Sequence, residues 1–180
     1  MSVFRKLASA AVGLSLFCMP SAYARDSAED HQVLWDSLER VGVQVLLNHT
    51  TMCDGEAAGL YSPSHNVLIV CQDHRLPLTT KEVEWTANDY DTLRHEAQHV
   101  VQDCLDGLDN DTSELFFNID DFKEFVSNAF TREEIEEIID SYRTLGADDE
   151  TILMELEAFA VASTIDPLTI ADGIDEICQV

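Results

Sequence analysis

The sequence predicts an α+β fold in one domain, with a few short strands in the first half of the chain and only helices after them. Apolar residues recur at helical spacing on both sides of residues 43–71, whereas this stretch contains extended apolar runs and turn residues. No internal repeat or linker rich in Pro and Gly divides the chain. This order of elements predicts a small mixed or antiparallel sheet with the helices packed to one side.

The first 24 residues have the pattern of a secretory signal peptide. Arg5 and Lys6 form a positive start, an apolar stretch runs from Leu7 to Phe17, and Ala22-Tyr23-Ala24 offers small residues to a signal peptidase. The apolar stretch is shorter than the about 20 residues needed to span a bilayer. We therefore expect cleavage after Ala24, a single mature domain over 25–180, and a secreted or periplasmic location.

The N-terminal part of the mature chain is predicted to form one helix and three strands. Apolar residues at helical spacing predict a helix from Asp26 to about Val41, ended by Gly42. Turn residues at 62–66 predict that the second and third strands form a hairpin. The strands are expected at 43–47, 58–61 and 67–71.

The C-terminal part is predicted to be entirely helical. Its first helix begins near Asp89, with Thr86 or Asn88 as the N-cap, and ends at Gly107. Thr131 and Glu134 have the spacing of a capping box and start a later helix. The remaining helices are expected near Asp120 to Asn128, from Thr131 to Gly146, from Asp148 through Ala160, and from Pro167 with Asp166 as its cap.

The chain is strongly acidic. Residues 1–24 contain two basic and no acidic residues, so the mature chain keeps 8 basic and 35 acidic residues and a net charge of −27. Such a surface repels phosphate backbones and anionic lipids. We therefore expect no nucleic-acid partner and no membrane partner after signal cleavage. We also expect a monomer.

Four cysteines remain after removal of the signal peptide, and an even number in an exported chain favours disulfides. Three pairings are possible. We expect Cys53–Cys71, which would tie together the β-region. We also expect Cys104–Cys178, which would fasten the C-terminal tail to the end of the helix that begins near Asp89. A zinc site made of cysteines is disfavoured because the chain has no C-x-x-C pair.

The segment His95-Glu96-Ala97-Gln98-His99 carries residues suited to bind and use a metal ion. Residues four apart leave the same face of a helix, so both imidazoles can reach one ion at about 2.0–2.1 Å. Glu96 points about 100° round the helix from His95, where it can reach a water beside the metal. A zinc ion lowers the pKa of such a water to about 7, and a carboxylate can then take its proton. The alternative is a pair of ordinary surface histidines.

This segment resembles the HExxH signature of the zincin metallopeptidases. The resemblance implies that His95 and His99 are zinc ligands and that Glu96 is the general base. The third ligand distinguishes the branches of this superfamily. No histidine follows His99, so the resemblance implies a carboxylate as third ligand and the gluzincin branch.

The run Glu155-Leu156-Glu157-Ala158-Phe159-Ala160 is similar to the downstream gluzincin motif, a Glu followed by small residues on a second helix. The similarity implies Glu155 as the third zinc ligand, with Glu157 as the alternative. Many gluzincins have Glu-x-x-Ala-Asp here, and in this chain Phe159 stands at the position of the Asp. That Asp supports a ligating histidine, so its absence changes the surroundings of the site.

The chain also resembles small minigluzincin-like bacterial proteins, which are minimal catalytic cores. This resemblance implies a zincin-like fold with a small sheet, the HExxH helix and a helical C-terminal half. It further implies that 67–71 is an edge strand above the metal that binds extended peptide, although a strand without this role is the alternative. Tyr142 is the candidate to stabilise an oxyanion, ahead of His74 and His65.

These observations predict a secreted zinc-dependent metallohydrolase, and the resemblance favours a peptidase that acts on peptide or protein substrates. Two other interpretations remain. The chain could be a zinc-binding module without turnover, or a disulfide-stapled interaction domain in which the HExxH pattern is accidental.

Overall fold

The α+β fold class predicted from the sequence is confirmed. A computed structural model describes residues 27–55, 57–108 and 113–178. In these residues it contains six helices and one three-stranded mixed sheet. The predicted signal peptide, residues 1–24, lies outside the described residues. The elements are α1 Ala28–Arg40, β1 Gln44–Leu47, β2 Gly59–Ser62, β3 Val67–Val70, α2 Ala87–Cys104, α3 Ile119–Ala129, α4 Arg132–Thr144, α5 Asp149–Thr164 and α6 Pro167–Ile177.

The sheet has the strand order β1-β3-β2, so β3 lies in the centre. It pairs in parallel with β1 and in antiparallel with β2, which confirms the predicted hairpin. The expectation that residues 67–71 form an edge strand is wrong. A continuous apolar run such as Val67–Val70 suits a strand that is buried by neighbours on both sides. The edge strand beside α2 is β2.

Strand β2 packs unusually close to α2, and Gly59 makes this possible. A Cβ atom at Gly59 would lie 2.6 Å from Thr92 Cγ2 and 2.7 Å from Glu96 Oε1. At distances below 3.0 Å one of the groups must shift, so only glycine fits at this point without displacing the side chains of Thr92 and Glu96. The close approach brings the sheet to the helix that carries the candidate metal ligands.

The helix starts follow the predicted cap chemistry. Thr86 and Asp89 form a reciprocal capping box at the start of α2, so Thr86, and not Asn88, is its N-cap. Thr131 and Glu134 form the predicted box at α4. Asp148 and Asp166 cap α5 and α6 with their side chains. These caps satisfy backbone N–H groups that have no partner inside the helix.

The described residues form two large apolar cores, and a small third cluster contains Cys53, Ile69 and Cys71. The first core joins the sheet with α1, α2 and α6, and the second joins α3, α4 and α5. Both predicted disulfides are present: Cys53–Cys71 beside the sheet and Cys104–Cys178 between the ends of α2 and α6. Among the described residues, no helix is both long enough and apolar enough to cross a membrane.

Candidate metal centre

Helix α2 carries His95, Glu96 and His99 through the middle of the molecule. All three lie well inside the helix, and α2 packs against the sheet on one side and against α5 and α6 on the other. Its register is fixed by a bond to α5, because Arg94 Nε donates to the backbone oxygen of Ala162 at 2.9 Å. The two histidines, one turn apart, therefore face α5 in a defined orientation.

Small side chains allow α5 to approach α2. Ala97 on α2 and Ala158 on α5 are both fully buried, and alanine at a helix contact lets two backbones come close. Glu155 is carried on α5 to the histidines and is only 2% exposed. This agrees with the small residues that follow the glutamate in the gluzincin pattern.

The nitrogen and oxygen atoms of His95, His99 and Glu155 converge on one point. Glu155 Oε2 lies 3.1 Å from His95 Nε2 and 3.5 Å from His99 Nε2, and the two Nε2 atoms are 3.2 Å apart. Ligands held at 2.0–2.1 Å in tetrahedral directions are about 3.3 Å from one another. The group is therefore compatible with a metal ion, and its distances are those of a tetrahedral site with three protein ligands.

The carboxylate of Glu155 and the two histidines need positive charge between their facing atoms, either from a bound cation or from protons. Burial by itself would lower the pKa of His99, but the charge and the hydrogen bond of Glu155 outweigh it and raise this pKa to about 9. Burial would likewise raise the pKa of Glu155, yet the charge of His99 and bonds from both histidines hold it well below its usual range. The carboxylate thus attracts positive charge to this point.

Glu96 lies on the β2 side of α2 and is 1% exposed. Its Oε2 atom has no hydrogen-bond partner, whereas the backbone N–H of Tyr61 in β2 donates to its carboxylate. Burial raises the pKa of Glu96, although the charges of His95 and His99 oppose the shift. A buried carboxylate with a free oxygen and a raised pKa is suited to accept a proton.

The ring of His95 has aromatic contacts in place of a polar support. Its Nδ1 atom is buried and has no hydrogen-bond partner, and the ring of Phe159 lies against it with a centroid distance of 4.4 Å. Phe159 occupies the position at which the gluzincin pattern has Asp. Metal-ligating histidines ordinarily donate from the second nitrogen to a carboxylate or carbonyl, so His95 lacks the support that the pattern supplies.

Tyr142 of α4 reaches the same cluster from the second core. Its hydroxyl is buried and lies beside the carboxylate of Glu155, although the two groups do not meet strict hydrogen-bond geometry. Burial and the nearby charge of Glu155 raise its pKa, so the phenol stays neutral and remains a donor. The two weaker candidates are elsewhere: His65 lies in the β2–β3 turn with Ser62 and Ser64, and His74 is exposed before α2.

Glu157, the alternative third ligand, does not face the histidines. It is 0% exposed, and its two oxygens accept bonds from four N–H donors. Because these donors use its lone pairs, Glu157 supports the protein around the site, and Glu155 is the carboxylate within the cluster. The donors are the side-chain amides of Gln98 and Gln102 and the backbone N–H groups of Phe116 and Phe117.

Gln102, which contacts both His99 and Glu157, is not among the residues selected from the sequence. Its spacing of three residues from His99 on one helix face was the available signal. An open cavity of about 340 Å³ lies beside the Cys53–Cys71 disulfide, and none of its lining residues belongs to the cluster. The most exposed residue of the cluster is His99, with 13% of its side chain accessible.

The fold and the site define a class: a small α+β domain with a buried His/His/Glu group compatible with a metal ion. Comparison of the chain with protein-family models, with curated proteins and with solved structures found no match. The assignment of a function consequently depends on the chemistry of the site.

Proposed function

We propose that this protein is an exported zinc-dependent hydrolase of the gluzincin type that cleaves peptides. The observation that carries the proposal is the convergence of His95 Nε2, His99 Nε2 and Glu155 Oε2 at 3.1–3.5 Å, with Glu96 beside them. Four groups with these roles occur in the order and spacing of the HExxH pattern followed by a downstream glutamate. The two disulfides are compatible with an oxidising compartment.

Zinc is the metal that this donor set favours. Two imidazoles and one carboxylate form a three-ligand set that leaves a fourth position open, as in catalytic zinc sites, whereas structural zinc sites use four protein ligands. A bound zinc ion would supply a Lewis acid that polarises a carbonyl and lowers the pKa of a coordinated water to about 7.

Two protein groups beside the cluster are suited to the two tasks of hydrolysis, which are to transfer a proton and to stabilise the developing negative charge. Glu96, with its free Oε2 and its raised pKa, would take a proton from the attacking water and pass it to the leaving amine. Tyr142, whose buried hydroxyl lies next to the Glu155 carboxylate, would donate to the developing oxyanion. Burial and the charge of Glu155 raise the pKa of the phenol and keep it protonated.

A peptide substrate is favoured by the position of β2. This strand pairs with β3 on one side, and on the other side the N–H of Tyr61 reaches the Glu96 carboxylate. The outer edge of β2 therefore lies next to the proposed base. Extended peptides add to such edges by main-chain hydrogen bonds, which supports the edge role expected from the family resemblance but assigns it to β2.

A second function is favoured by the burial of the site. Glu96 and Glu155 are 1% and 2% exposed, as expected for a metal that only organises the fold. Such a zinc-binding module would have no need of Glu96. In the Glu96→Gln variant, zinc content should be unchanged in both cases, whereas peptide cleavage should fall by orders of magnitude only if the protein is an enzyme.

The test of the proposal begins with elemental analysis of the purified mature chain and of the Glu155→Gln and Glu157→Gln variants. We expect close to one zinc per wild-type chain and a sharp reduction in Glu155→Gln. A peptide-library cleavage screen with wild type and Glu96→Gln then tests turnover. Absence of zinc after loading at neutral pH would exclude both metal functions and would leave the interaction domain.

A further inference from the structure

Behind the ligand His99 lies a glutamine that determines the orientation of its ring. Gln102 follows His99 by three residues on α2, on the same helix face. The Nδ1 atom of His99 lies 2.8 Å from Gln102 Oε1. This is the nitrogen that faces away from Glu155, because Nε2 is the atom turned towards the cluster.

The other contacts of Gln102 determine which end of its side-chain amide is the oxygen and which is the NH₂ group. One end of the amide lies 3.1 Å from the backbone oxygen of Met154 and 2.7 Å from Glu157 Oε2. A carbonyl and a carboxylate accept hydrogen bonds and do not donate them, so this end must be the NH₂ group. The oxygen of the amide therefore faces His99, and Nδ1 of His99 must carry a proton to donate to it.

Glu157 in turn is anchored by the backbone. Phe116 N and Phe117 N donate to its two oxygens at 3.1 and 3.0 Å, and Gln98 Nε2 adds a further bond at 3.2 Å. Glu157 can only accept from these groups and from Gln102. It thereby sets the direction of every hydrogen bond in the chain from the 116–117 backbone to the imidazole of His99.

We propose that Gln102 and Glu157 are positioning residues of the metal centre, which hold the proton of His99 on Nδ1 and present the Nε2 lone pair to the metal. This inference rests on the proposed metal-dependent function and adds to it the groups that prepare one ligand. Supporting hydrogen bonds of this kind change metal affinity by about 10–100-fold. Neither residue contacts the substrate in this role.

The same network links the metal centre to the segment after α2. The N–H of Glu114 donates to the backbone oxygen of Gln102 at 3.0 Å, and Phe116 and Phe117 are held through Glu157. Phe117 packs into the second core, formed by α3, α4 and α5. The orientation of His99 is therefore tied to the docking of residues 114–117 on α2.

The matched control is provided by a second buried glutamine. Gln102 and Gln72 are both 0% exposed. Each makes three side-chain hydrogen bonds, but those of Gln72 go to Asn48 and Val83 near the sheet and not to the metal centre. Gln102→Leu and Gln72→Leu therefore remove the same chemical group from equally buried places.

The experiment measures zinc affinity of the mature chain by competition with a chromophoric chelator, together with the imidazole proton signals by NMR. We expect Gln102→Leu to bind zinc about 10–100-fold more weakly than wild type and to lose the His99 Nδ1–H signal. Gln72→Leu should stay within about twofold of wild type and keep the signal. Glu157→Gln, which has nearly the same shape, should change both readouts in the same direction as Gln102→Leu and serves if Gln102→Leu does not fold.

Two results would overturn the inference while the wild type still binds zinc. These are unchanged affinity in Gln102→Leu, or an equal loss in Gln72→Leu, which would indicate general destabilisation. If the wild type binds no zinc, the proposed function fails. The NMR signal then tests the inferred orientation of Gln102 on its own. An Nδ1–H signal that is present in wild type and absent in Gln102→Leu supports this orientation. A wild-type protein without the signal excludes it.

Discussion

The ring of Phe159 packs against the ring of His95 at a centroid distance of 4.4 Å, while the Nδ1 atom of this histidine has no hydrogen-bond partner. The two candidate histidine ligands are thus supported in different ways. His99 has a polar network through Gln102, whereas His95 is held by an aromatic contact. Aromatic packing fixes the plane of the ring but leaves the choice of protonated nitrogen open.

This difference predicts the effect of Phe159→Asp. The carboxylate would accept from His95 Nδ1 and restore the arrangement of the gluzincin pattern, so we expect zinc affinity to rise by about tenfold. The loss of the ring from the second core should lower the free energy of unfolding of the metal-free protein by about 2–4 kcal/mol. Chelator competition and denaturant unfolding measure the two effects. Phe159→Leu removes the ring without supplying an acceptor and should show no gain in affinity.

A second prediction concerns Gly59, at the contact between β2 and α2. Gly59→Ala would place a Cβ atom 2.7 Å from Glu96 Oε1 and 2.6 Å from Thr92 Cγ2, so these side chains, or the strand and helix that carry them, must shift. We expect a stability loss of about 1–3 kcal/mol from overpacking and a loss of peptide cleavage greater than the loss of zinc, because Glu96 is displaced and none of the three candidate ligands is among the atoms that the Cβ would meet.

Gly173 in α6 provides the control for this substitution. A Cβ atom at Gly173 would meet nothing within 4 Å, and alanine is favoured over glycine inside a helix by about 1 kcal/mol. Gly173→Ala should therefore be neutral or stabilising, and its zinc content and cleavage should equal those of wild type. Equal behaviour of the two variants in thermal unfolding would contradict the close contact at Gly59.

Much of the fold could be predicted because its signals are local. Cap chemistry located the starts of α4, α5 and α6, and the hairpin followed from turn residues between two extended runs. Strand order is not a local property. The run at 67–71 has the same composition whether it lies at the edge or in the centre, and its central place depends on the parallel partner β1.

The candidate site likewise has a part that local sequence predicts and a part that depends on distant contacts. His95, Glu96 and His99 lie within five residues of one helix, so their geometry follows from its period. Glu155 and Glu157 are two residues apart on α5 and both are buried, so composition does not separate them. The difference arises from contacts distant in sequence, since Glu157 is surrounded by donors from α2 and from Phe116 and Phe117.

The metal-free protein should depend on pH through the pair His99 and Glu155. The pKa of His99 is about 9 in the folded chain against an ordinary 6.5, so its stabilising effect is complete below pH 6.5 and is lost as the pH rises through 9. The pKa of Glu155 is lowered from 4.5, so the effect is present above pH 4.5 and is lost as the pH falls further. The loss at high pH and the loss at low pH reflect the same interaction between His99 and Glu155.

We therefore expect the contribution of this pair to the stability of the metal-free chain to be highest between pH 4.5 and 6.5 and to fall as the pH rises from 6.5 towards 9. Denaturant unfolding with chelator present, at a series of pH values, measures this. In Glu155→Gln the decline above pH 6.5 should be much smaller, because His99 no longer has a charged partner. A wild-type curve that is flat in this range would contradict the ion pair.

The two disulfides should contribute unequally to stability. Cys104–Cys178 closes 74 residues of chain and Cys53–Cys71 closes 18. In the chain-entropy description these loops correspond to about 4.4 and about 3.2 kcal/mol. Replacing both members of each pair by serine, one pair at a time, should lower the denaturant midpoint more for Cys104–Cys178. Equal midpoints would indicate that strain or residual structure, and not loop length, determines the effect. Since neither disulfide includes a ligand, both variants should still bind zinc at a concentration well above the dissociation constant.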